Sequence, residues 1–332
     1  MVVQDYKHSH AAHCESGVMS SMLSYYGVKL SEPMVFGLSS ALTFAYLPFI
    51  KVGGMPMIGY RSMPKSIIKN LQKNLKIKMK LERFSTKEKG EARLDELLSE
   101  NKLVGAQTSV YWLPYFPEEM RFHFNVHNLM VYGKEGNEYL ISDPVFEHPV
   151  RCDAKDFAKS RFAKGMMAPK GLLYYPVDIP KDIEIKPAIV KAIAKTAKGM
   201  LKTPVPIAGL KGIQSLAKAI LKLEKKDTKY AKLFLGHIIR MQEEIGTGGA
   251  GFRYMYASFL KEASTLFDNN EVLKEASQMM LEVGDEWREF ALLIAKAIRS
   301  KKEIDFKTIS DKLMSVAESE KNTYLKMTEF NG

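Results

Sequence analysis

A chain of 332 residues with 46% hydrophobic and 26% charged residues holds enough apolar content for one large or two medium cores, and this excludes a disordered or fibrous protein. Two cysteines, Cys14 and Cys152, are too few for a disulfide framework. The net charge of +11 is concentrated: between Lys186 and Lys232 twelve lysines stand against only Glu224 and Asp227, so the rest of the chain is nearly neutral.

The opening MVVQDYKHSH has no basic segment followed by an apolar run, which leads us to expect a cytoplasmic protein without a secretory signal. The segment CESGVMSSMLSYYG predicts a helix. Val18, Met22 and Tyr26 are spaced by four, as are Met19 and Leu23, and Gly27 sits where a C-terminal cap belongs. A second helix is predicted over Glu32 to Ala45. The uncharged stretch Met34 to Ile50 contains Gly37, Ser39, Ser40, Thr43 and Pro48, so it reads as a buried helix and a turn rather than a membrane span. Helices follow at Pro64 to Leu75 and in GEARLDELLSEN, then a strand in LVGAQTSVYW. VHNLMVYGKEGNEYLISDP predicts two strands around a turn, and GLLYYP one more.

Beyond Pro180 the strand signals fade. AIVKAIAKTAKGML, GLKGIQSLAKAILKLEK, YAKLFLGHIIRMQEEI, FRYMYASFLKEASTLF, NEVLKEASQMMLEVGDEWREFALLIAKAIRS and FKTISDKLMSVAESEKNTYLKM carry helical apolar spacing. The expected organisation is an α+β domain over 1–178 and an all-helical domain over 179–332.

Cys14 at the start of a helix is a candidate nucleophile, because the unpaired N–H groups and the macrodipole of a first turn favour a thiolate. Such a thiol needs a base and a group that orients the base. With the hairpin turn centred on Glu135, Tyr132 faces Glu138, Met130 faces Leu140 and His127 faces Asp143. Directly opposed Cβ atoms lie roughly 4.5–5.5 Å apart, so an imidazole and a carboxylate would meet at the open end of the hairpin. The three histidines His8, His10 and His13 beside Cys14 also allow a zinc site, with His123 as a further ligand. Four ligands within seven residues, one of them opening a helix, leave little chain to wrap an ion, and no metal is expected.

HCESG, then SEPMVFGLSSALTFAYL, YWLPY, HNLMVYG and ISDP, resembles the N-terminal domain of the butirosin biosynthesis protein H family, on the C39-like branch of the papain-like cysteine fold. GTGGAGFRYMYASFLKEAS is similar to the helical domain commonly attached to it. The resemblance implies an acyltransferase that takes an acyl group from the phosphopantetheine thioester of an acyl carrier protein. No bound cofactor is implied. Cys14 would carry the acyl group, His127 would act as base and acid, and Asp143 would orient His127. The acceptor would be a small amine or hydroxyl compound in secondary-metabolite biosynthesis. The glutamine that such peptidases place six residues before the cysteine is His8 here. His8, His13 and Gln4 are therefore candidates for the oxyanion site or the entrance. Glu15 stands where those peptidases have glycine. Arg253, just after the GTGGAG loop, is a candidate for contact with substrate or with the phosphopantetheine phosphate.

An acidic carrier protein would give the lysines of 186–232 a partner. A membrane surface is the second expectation for them, while no nucleic-acid motif accompanies the charge. A C39-like peptidase, amidase or thioesterase is the alternative on the same residues. A non-catalytic binding protein on the same fold is the second alternative.

Overall fold

A computed structural model describes residues 1–332. They form two compact units, Met1–Val35 with Leu71–Ile183, and Phe36–Asn70 with Glu184–Gly332. This division differs from a single cut near residue 178, because residues 36–70 group with the C-terminal helices. Pairwise packing, which local sequence pattern does not encode, decides where that segment belongs.

In the first unit, helix α1 (Cys14–Tyr25) buries Val18, Met19, Met22 and Leu23 completely. His13 is its N-cap, its Nδ1 accepting from Ser16 N. Gly27, at φ +91°, closes the other end as expected, with Val28 N donating to Leu23 O. Gly17 is required for another reason. A Cβ there would lie 2.6 Å from Ala11 Cβ and 2.8 Å from that of Pro144, so its bare backbone lets two loops press on the helix.

The sheet of this unit has six strands in the order β3-β8-β4-β5-β6-β7. They are β3 (Lys78–Glu82), β4 (Val104–Thr108), β5 (His127–Glu135), β6 (Glu138–Ser142), β7 (Val150–Asp153) and β8 (Leu173–Asp178). Every pairing is antiparallel. The first five residues of β5 and all of β4 are buried, which suits strands covered on both faces. Helices α4 (Lys87–Ser99) and α5 (Ala154–Arg161) complete the unit, each capped at its start by Thr86 or Asp153.

The second unit holds the hairpin of β1 (Leu42–Val52) and β2 (Met55–Arg61) and the helices α6 (Ile185–Leu201), α7 (Gly209–Leu221), α8 (Thr228–Ile239), α9 (Arg253–Leu266), α10 (Glu271–Arg299) and α11 (Phe306–Met327). The helix expected over Glu32 to Ala45 is a correction. Helix α2 (Glu32–Leu38) ends seven residues short of that, Ser40 takes φ +50°, and LTFAYLPFI becomes a strand. Its aromatic and β-branched residues, buried at alternate positions over Leu42–Tyr46, favour strand over helix. Helix α3 (Ser66–Leu75) connects back to the first unit. The core of the second unit is aromatic: Trp287 is fully buried, with the rings of Tyr60 at 5.4 Å and Phe44 at 5.9 Å.

Candidate active site

The first helical residue of α1 and the first residue of β5 come together. Cys14 is 6% exposed and His127 4%. His127 Nε2 hydrogen-bonds Asp143 Oδ2 at 2.7 Å, and the Cys14 sulfur is near enough to act on the same ring. Asp143 is fully buried, and its Oδ2 also accepts from the Tyr115 hydroxyl at 2.9 Å. The Phe116 ring stands edge-on to His127 with centroids 5.4 Å apart.

The register that makes this contact differs from the expected one. The hairpin turns through Gly136 and Asn137, pairing Glu135 with Glu138, and a bulge between Val131 and Gly133 then shifts the ladder so that Met130 faces Ser142. Continued by one residue, this register sets Asp143 opposite Leu129. His127 is thus its diagonal neighbour on the same face of the sheet, within reach of long side chains. An even-numbered offset preserves the face, so the carboxylate and the imidazole still meet.

Burial works against a charge on His127. The Asp143 carboxylate and the Cys14 sulfur outweigh it and hold the imidazole well above its ordinary value. The imidazolium form is therefore favoured beside the thiol. Burial and the same carboxylate push the Tyr115 hydroxyl far up, so it stays a phenol and donates. The other cysteine is unlike Cys14: burial, then Asp156 and Asp153, push the Cys152 thiol up to about 12.

The remaining predicted residues fall elsewhere. Both ring nitrogens of His8 are engaged, Nδ1 with Ser142 Oγ at 2.7 Å and Nε2 with the Phe146 carbonyl at 2.9 Å. His8 thus ties the N-terminal segment to the loop after Asp143. His13 caps α1. Gln4 is exposed and its amide returns to the Val2 carbonyl. No group of three or more His, Cys, Asp or Glu side chains is placed to hold a metal ion.

Arg253 is a correction. It is fully buried in the second unit, with Nε and Nη2 each 2.8 Å from Glu320 Oε1 and Nη1 donating to the Gly251 carbonyl at 2.7 Å. The aromatic rings of Trp287 and Tyr60 lie beside the guanidinium. Its head is enclosed by its own unit and faces no substrate. The preceding GTGGAG loop has no vacancy for phosphate either. Its Ala250 N–H already donates to the Glu243 carboxylate, and Tyr60 packs against Gly251.

Three residues of the site escaped sequence reasoning. Asn128 Nδ2 lies 4.0 Å from Cys14 Sγ, its amide fixed by the Val126 carbonyl at 2.9 Å and the Tyr174 hydroxyl at 3.2 Å. Tyr115 holds Asp143. Glu32 accepts from Ala12 N, His13 N and Ser16 Oγ, each at 2.8 Å, and so fixes the loop that delivers Cys14. Burial pushes the Glu32 carboxyl up, against the pull of these donors. The motifs HNLMVYG, YWLPY and SEPMVF contain these residues, but nothing in their spacing marks a partner.

Residues 13–144 match the family described as butirosin biosynthesis protein H, N-terminal, and residues 155–327 match the Domain of unknown function (DUF4872). The second match takes in more than half of the chain, which belongs to that family and carries the first family's domain before it. The N-terminal match takes in Cys14, His127 and Asp143 and ends one residue after the last. The first unit is a mixed α/β structure in which a helix opening on cysteine is laid against a strand that opens on histidine. A candidate C39-like peptidase from Bacillus anthracis is a similar solved structure, at 14% identity and a TM-score of 0.39, covering 54% of this chain and 98% of its own. No curated protein matches the chain.

Proposed function

We propose that this protein is a cysteine-dependent acyltransferase. The observation that carries the reading is the buried relay of Cys14, His127 and Asp143 at the N-terminus of α1. The donor is an acyl thioester of phosphopantetheine on an acyl carrier protein, and the acceptor is a small amine or alcohol. The Cys14 thiolate attacks the thioester carbonyl, forming a new carbon–sulfur bond. The pantetheine sulfur leaves and takes the proton held by the His127 imidazolium. The acceptor then attacks the Cys14 thioester, His127 removes its proton, and the Cys14 thiolate leaves. Both half-reactions pass through an oxyanion, for which the Cys14 backbone N–H at the head of α1 is a donor.

Three features support this reading. The family match covers all three side chains. Thiol-to-thioester exchange is nearly thermoneutral, so the acyl-enzyme needs no further energy source. The raised imidazole supplies the proton that a leaving thiolate requires.

Intact-mass analysis after incubation with acyl-pantetheine tests it. An acyl adduct mapped to Cys14, discharged by added amine to the acyl-amine, is the expected result. No adduct on the wild-type protein, with Cys14 still alkylated by iodoacetamide, overturns acyl transfer. Adduct that decays only to free acid identifies a hydrolase.

A further inference from the structure

The charge of this chain lies mostly in two segments that its fold joins. Residues 36–70 carry Lys51, Arg61, Lys65 and Lys69 and no acidic residue, and 186–232 carries the twelve lysines. Both segments belong to the second unit. There the hairpin lies against the loop between α6 and α7: Tyr46 N donates to Ile207 O at 2.8 Å, and Ala45 bridges Ala208. Helix α8 closes on the same hairpin, with the Phe234 ring 6.4 Å from that of Tyr46 and His237 Nε2 2.9 Å from the Pro56 carbonyl.

The tip of this assembly is apolar. Phe49 is 69% exposed, more than any other large apolar side chain of the chain. Val52 on the same hairpin, Val205 on the facing loop and Leu233 on α8 are exposed as well. Lys51, Lys202, Lys211 and Lys229, on the hairpin, the α6–α7 loop and the starts of α7 and α8 of the same unit, are exposed too. None of the twelve lysines between 186 and 232 pairs with a carboxylate of the chain. Such a field of one sign repels itself until an anionic partner meets it.

We propose that this face of the second unit binds the surface of an anionic lipid bilayer, with Phe49 and Val205 entering the headgroup region and the lysines engaging lipid phosphates. Three observations favour lipid over a macromolecular partner. The exposed apolar side chains come from separate elements, Phe49 and Val52 near the end of β1, Val205 on the α6–α7 loop and Leu233 on α8, and a bilayer surface can receive such a spread. The lysines spread over three helices, with Lys191, Lys195 and Lys198 forming a stripe along α6, which spans about 25 Å, and Lys202 following at its C-cap. That suits a plane of charge. The tip also lacks the array of aromatic platforms on which bases stack. No helix of the chain is long and apolar enough to cross a membrane, so binding would be at the surface.

Co-sedimentation of the full chain tests this with vesicles of phosphatidylcholine alone and of equal parts phosphatidylcholine and phosphatidylserine. The expected result is binding to the mixed vesicles only, weakening as salt is added. Lys202→Gln with Lys211→Gln should lower the partition coefficient by ~25-fold, about fivefold for each lysine. Phe49→Asp and Val205→Asp should each lower it by about fivefold or more, with an unchanged melting midpoint because both side chains are exposed. Cys14→Ala should bind vesicles as the wild type does, which separates this result from the fate of the proposed chemistry. Absence of binding to the mixed vesicles, equal binding to neutral vesicles, or wild-type binding by Phe49→Asp overturns the proposal. So does capture by polyglutamate or duplex DNA with no binding to vesicles, in favour of that polyanion.

Discussion

The first unit buries His127 against Asp143 at 2.7 Å, and the second buries Arg253 against Glu320 at 2.8 Å. All four side chains are at most 4% exposed. The difference is what surrounds each cation. The Arg253 guanidinium is enclosed by a carboxylate, a carbonyl and two aromatic rings, and Glu320 also accepts from Trp287 Nε1 at 2.6 Å and Tyr324 at 3.1 Å. His127 has beside it a sulfur that opens a helix. Burial of a charged pair therefore does not mark a functional site. A reactive atom among its partners does, because a guanidinium held by a carboxylate, a carbonyl and rings has no nucleophile beside it.

That contrast can be broken by experiment. The largest effect expected is from Cys14→Ala, which should reduce acyl-adduct formation and turnover by on the order of 10⁴-fold while leaving the melting midpoint unchanged. A variant that stays active would move the chemistry away from the first unit. Arg253→Met should do the opposite. Leaving Glu320 as an uncompensated buried carboxylate should cost about 3–5 kcal/mol of stability in a denaturant titration. Cys14 alkylation under native conditions should persist, and its loss would mean that the two clusters share one role.

Asn128→Leu sharpens the picture within the site. Removing an amide donor beside the sulfur should slow Cys14 alkylation by about tenfold, a loss of ~1.4 kcal/mol of hydrogen bonding to the sulfur. Cys152, with its thiol pushed up to about 12, contributes little to that signal. An unchanged rate would make Asn128 a packing residue only. Tyr115→Phe should have the smallest effect, about 1 kcal/mol or roughly fivefold in turnover, since Asp143 keeps its bond to His127 and one from Val145 N.

The pH dependence follows from the same pair. The native imidazole lies above its unfolded value of 6.5, at about 10. A group raised on folding stabilises the native state fully below its unfolded value and loses that contribution as pH climbs through its folded value. Stability should thus fall between pH 6.5 and 10, and His127→Asn should flatten the slope. A wild-type curve as flat as that of the variant would rule out the ion pair.

Much of the site was legible because its signals are local. A cysteine before a run spaced by four, a glycine cap, and a histidine and an aspartate flanking one turn all follow from helical and strand periods. The contacting pair was legible although the register was not, since the bulge at Tyr132 shifts the ladder by an amount that keeps His127 and Asp143 on one face. Asn128, Tyr115 and Glu32 were not legible, because these partners lie 16 to 114 residues away along the chain. The histidines beside Cys14 drew attention by proximity, yet His13 caps the helix and His8 braces a loop.

By itself, then, the amino-acid sequence determined the helix that opens on Cys14, the hairpin that carries His127 and Asp143, and the helical second half with its lysines. These rest on periodicity and capping, which act over a few residues. Tertiary structure decided that residues 36–70 join the C-terminal helices, that Arg253 is enclosed, and that an asparagine and a tyrosine complete the relay. Those outcomes depend on which surfaces bury one another, and burial is settled by the whole chain at once.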